Sequence, residues 1–167
     1  ASSADAPGAA AQLAIAFAAA SQRTLLVDAD LRHPSLAHRL GLAPERGLTD
    51  LLAGEPDVAP VPTSWPNLDL IAAVQPAANA SELLHSHCLP EWLAQIRSHY
   101  DHIVITVPAM DAASDAMVVA PLSDHAMVLA SPGDPLAQVQ HAAVSLAALG
   151  DRVAGAVLVE RAGIVSA

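Results

Sequence analysis

"RTLLVDADLRHPSL" (Arg23 to Leu36) carries the reading of this chain. Thr24 to Val27 is a short apolar run of the kind that forms a buried parallel strand. It delivers two carboxylates, Asp28 and Asp30, at its tip. In open α/β sheets ligands sit beyond the carboxyl ends of the strands. Carboxylates spaced i, i+2 at such an end have two readings. They can hold a hydrated magnesium ion or orient a water, or they can cap the next helix and bond loop amides.

Outward from this strand, helix and strand signals alternate. Upstream, Ala9 to Ser21 is a helix candidate with good formers and no interior Gly or Pro. Downstream, Ser35 to Leu40 and Leu48 to Ala53 are short helices stopped by Gly41 and Gly54. Glu55 to Pro66 is Pro-rich and reads as surface loop. Further strands are expected at Leu68–Ala72, Ile103–Val107, Ala126–Ala130 and Val153–Val159, with helices capped by Ser81 and spanning Glu91–Ser98, Ala113–Ala120 and Pro135–Leu149. Strands separated by helices imply a doubly wound α/β domain, its mainly parallel sheet covered by helices on both faces. Three places at the carboxyl edge then matter: the turn after Val27, the turn after Val107 and the segment before Ala9.

Composition narrows the chemistry. The 167 residues suit one domain, and the abrupt start at Ala1-Ser2-Ser3 suggests that native N-terminal sequence is missing. The net charge of −10 argues against nucleic acid and against a polybasic membrane patch. All seven positive residues are arginine; lysine is absent. The single cysteine, Cys88, excludes an internal disulfide. No apolar run is long enough to insert into a bilayer. "HSHC" (His85 to Cys88) matches no standard zinc spacing and reads as surface histidines. Asp111 and Asp115 read as a helix start, and Trp65 and Trp92 as core or satellite residues.

"LLVDADLRHPSLAHRLGLAPERGLTDLLAG" (Leu25 to Gly54) closely resembles the bacterial tyrosine autokinases of capsule and exopolysaccharide assembly, relatives of the MinD and ParA ATPases. The resemblance continues in order through "NASELL" (Asn79 to Leu84), "YDHIVITVPA" (Tyr100 to Ala109), "SDA" (Ser114 to Ala116) and "GAVLVE" (Gly155 to Glu160). It implies a P-loop NTPase-like fold in which Asp28 and Asp30 belong to the nucleotide site and would face magnesium if magnesium binds.

The departures are equally local. The family's loop resembles PGEGKST followed by NLA; aligning NLA with Gln12-Leu13-Ala14 puts Ala6 at the lysine position and Pro7 at the hydroxyl position. Lysine there would neutralise phosphate charge and the hydroxyl would bind magnesium. Thr106 stands where the family pattern IIDTPP has an aspartate, and Glu160 where it has a base-contacting asparagine. Arg32 remains as a differently shaped phosphate contact. The family's tyrosine-rich tail has no counterpart, and Tyr100 reads as a packing residue.

The resemblance with these departures points to a non-catalytic, kinase-like module, with no cofactor expected. The family implies a cytoplasmic place at the inner membrane, through a membrane-embedded polysaccharide co-polymerase that regulates chain length, an active kinase copy, or a homo-oligomer. The enzyme alternative is an ATP-dependent tyrosine autokinase or ATPase using Mg-ATP or ADP. A further alternative is a MinD- or ParA-type positioning ATPase, which "DLRHPSL" and "SELL" disfavour.

Overall fold

β1 (Thr24–Asp28) is buried at every residue, which requires cover on both faces. The computed structural model describes residues 5–55, 57–108, 115–147 and 150–159. They fall into two compact units, one within Pro7–Pro108 and a second holding residues 5–6 with the described residues from 115 on.

In the Pro7–Pro108 unit, β3 (Leu68–Ala72) and β4 (His102–Thr106) flank β1 in parallel, with Leu26 opposite both Leu70 and Val104. A two-residue strand, β2 (Val61–Pro62), pairs antiparallel with β3, giving the order β2-β3-β1-β4. α1 (Ala6–Ala19) lays Ala11, Ala14 and Ala18 against Leu26, Leu68, Leu70 and Ala72. Alanines on that face let the helix approach closely. Leu25 and Val27, which alternation turns to the opposite face, are fully buried as well.

The direction of α1 is fixed at its C-terminal end. The Asn67 side-chain amide donates to the Ala18 carbonyl at 3.5 Å, and the Phe17 and His102 rings stack at 3.9 Å. Asn67 and His102 stand at the starts of β3 and β4. α1 therefore runs against the strands, and its 14 residues, about 21 Å long, outreach a five-residue strand of about 17 Å. Its opening turn lies toward the carboxyl edge. Beyond β1 come α2 (Leu36–Arg39) and α3 (Leu48–Leu52), which touches β3, α4 (Ala80–Leu84) and α5 (Cys88–Ile96). Leu48, Leu52, Leu84 and Leu89 fill this helical layer.

In the second unit, β5 (Ala126–Ala130) and β6 (Val153–Leu158) pair in parallel, and α7 (Leu136–Ala147) between them touches both. α6 (Asp115–Val119) buries Asp115, Ala116 and Val119.

All five expected strands form, with ends moved by at most a residue, and the fold is the expected α/β class. Among the described residues the five do not pair into the one sheet expected: β1, β3 and β4 share one ladder with β2, and β5 and β6 form another. Several expectations need correction. α1 starts at Ala6, three residues early, because Pro7 falls in the first turn where a missing N–H breaks no helical bond. α5 likewise starts at Cys88 and takes Pro90 into its first turn. Asn79, not Ser81, stands before α4, and its side chain makes no capping bond. β2 interrupts the supposed loop; proline is tolerated there because the strand is an edge. Trp65 is exposed at 37%, in the turn that leads into β3, rather than packed in a core. Residues 113 and 114 of the expected sixth helix lie outside the described residues, as does Asp111.

Candidate functional site

The carboxyl edge of the β1–β3–β4 ladder brings together Asp28, Thr106 and, in the turn after β1, Asp30 and Arg32. Asp28 ends β1 fully buried, level with Ala72 and Thr106 on its two neighbours. The Ala29 amide donates to the Thr106 carbonyl at 2.9 Å, extending the ladder one residue beyond the strand.

The Asp28 carboxylate is the hub of the turn that follows. Its Oδ1 accepts the Asp30 N–H at 3.2 Å, and its Oδ2 accepts those of Ser35 and Leu36 at 3.0 Å each. Ser35 precedes α2 without capping it through its own hydroxyl. Asp28 does that work from seven and eight residues upstream. Burial pushes the Asp28 carboxyl above the usual carboxylate range, its three N–H bonds oppose the shift, and the nearby Asp30 charge adds to it. Asp30 closes a tighter turn, its Oδ1 accepting the Arg32 and His33 amides at 3.1 and 2.9 Å. The Ala77 amide pins the buried Leu31 from outside at 2.8 Å. Both carboxylates thus bond loop amides, one of the two readings open from the sequence.

The family resemblance implies a magnesium nucleotide, and these residues stand at the positions it would meet. Ala6 and Pro7 open α1 with a methyl group and a ring, so no ammonium and no hydroxyl stands at those positions. Pro7 also subtracts an amide from a phosphate-facing helix start. Three of about four acceptor positions on the Asp28 carboxylate are taken by backbone N–H groups. Thr106 is buried and neutral beside it. Arg32 sits in the Asp30 turn, half-buried, and Glu160 lies outside the described residues. Among the described residues no three His, Cys, Asp or Glu side chains converge on a metal site. In the HSHC segment, the His85 ring Nδ1 pairs at 2.7 Å with the Ser81 carbonyl oxygen of its own helix.

Three features escaped the sequence reading. The Tyr100 hydroxyl donates to Asp69 Oδ2 at 2.8 Å, and burial followed by that bond pushes the phenol well above its ordinary value. Gly47 lies so close to β3 that an added Cβ would overlap the Ala72 carbonyl oxygen. The Ser35 hydroxyl is buried with no hydrogen-bond partner. Only Asp69, a charge inside an apolar strand, carried a visible signal.

No protein-family model matches the chain. Among curated proteins, it is 33% identical to the tyrosine-protein kinase ptk of Acinetobacter johnsonii over 120 residues, 71% of this chain and 16% of that protein. It is 35% identical to the succinoglycan biosynthesis transport protein ExoP of Rhizobium meliloti over 127 residues, 69% of this chain and 15% of ExoP. The chain thus spans about a sixth of these relatives. Among solved structures, the VpsO kinase domain superposes with a TM-score of 0.81 at 32% identity, covering 89% of this chain and 75% of that one. The cell-division ATPase MinD of Pyrococcus furiosus superposes with a TM-score of 0.78 at 26% identity, covering 91% of this chain and 65% of MinD. With a kinase domain matched over three-quarters of its length, and the strand-end carboxylate turn in the place the fold gives it, this chain belongs to the bacterial tyrosine-kinase domain family, on the P-loop NTPase fold it shares with MinD.

Proposed function

We propose that this chain is a kinase-like domain of an exopolysaccharide or capsule pathway that works by protein contact and not by phosphoryl transfer. One observation carries the reading: the Asp28 carboxylate is occupied by three loop amides, while Ala6, Pro7 and Thr106 stand at the positions where the resembled family has its lysine, hydroxyl and aspartate. Phosphoryl transfer rests on positioning and on neutralising charge at the γ-phosphate. Losing one such donor costs about 3–4 kcal/mol in the barrier, and three are missing here, although their effects need not add. The net charge of −10, with no lysine, raises the barrier to a polyanionic ligand further.

The pathway assignment is supported by kinship with ExoP, whose name places it in succinoglycan biosynthesis and transport. No helix among the described residues is long and apolar enough to cross a membrane. The proposed contact, which the family resemblance suggests, is with a membrane-embedded polysaccharide co-polymerase or with a catalytically active kinase copy. Phosphate release and anti-phosphotyrosine detection on the purified chain test the reading, with Asp28→Ala alongside once its circular dichroism matches wild type. No turnover above buffer is expected from either. Turnover that disappears in Asp28→Ala overturns the proposal in favour of an active autokinase.

A further inference from the structure

We draw no further inference here: the strongest candidate, the exposed apolar surface of β5, α7 and β6 that leaves Met127, Leu136, Val144, Val157 and Leu158 open to solvent, carries nothing, because nothing in the structure shows what covers it.

Discussion

Asp101 accepts hydrogen bonds from the Arg23 amide at 2.9 Å and from its guanidinium Nε and Nη2 at 3.3 and 2.8 Å, joining the starts of β1 and β4. That clasp holds the Asp101 carboxyl down at about 2. A depressed carboxylate stabilises the fold above its unfolded value of about 4, and the contribution is lost as pH falls from there toward 2. The melting-temperature gap between wild type and Asp101→Asn should therefore close across that window. Asp28 has the opposite sign: with its carboxyl raised by burial, the folded state holds the proton more tightly than the unfolded state. Its contribution is full below about 4 and declines as pH rises through the raised value. Wild type should thus lose ground relative to Asp28→Asn as pH increases, in the same thermal melts. Tyr100→Phe removes the bond to Asp69 and should cost about 1–2 kcal/mol by urea denaturation, with the carboxylate acceptor setting the upper end. The Tyr100–Asp69 pair joins residues 31 apart, and no spacing rule links a hydroxyl before one strand to a carboxylate inside another.

The start of α3 shows why some elements were legible and others not. Gly47 precedes the helix; its amide donates to Asp50 Oδ2 at 2.8 Å, and its missing side chain makes room for the Ala72 carbonyl. A Cβ at Gly47 would lie 1.8 Å from that oxygen and 2.9 Å from Val74 Cγ2. Since the nearest atom is backbone, α3 must shift away from β3. Gly47→Ala should destabilise the chain by about 1–3 kcal/mol in denaturant melts, with proteolysis first reporting opening near α3. Nothing in the sequence marks Gly47, because a close approach is a tertiary fact. β1, β3 and β4 were visible because strands buried in a parallel ladder are continuous apolar runs. β2 was not, since two residues including a proline carry no periodic signal; it exists only because β3 offers an edge. The helix starts were misjudged for one shared reason: Pro7 and Pro90 sit inside first turns, where proline is as compatible with helix as with loop.

Across the whole chain, order and spacing of motifs carried the family, and the comparison with known kinases bears that out. The meeting of Asp28 with Thr106 at one edge was legible only through that resemblance, because strand order cannot be read from a single sequence. What the motifs could not supply was the state of the Asp28 carboxylate, whose three amide partners come from a turn closing back on it. That engagement, set beside Ala6, Pro7 and Thr106, is the physical content of the claim that this domain has left phosphoryl transfer. Calorimetric titration of the purified chain with ATP and with ADP, each with and without magnesium, tests it most directly. The account predicts no saturable heat at millimolar nucleotide in any of the four titrations. Saturable binding that requires magnesium, and that is lost in a folded Asp28→Ala variant, would contradict it.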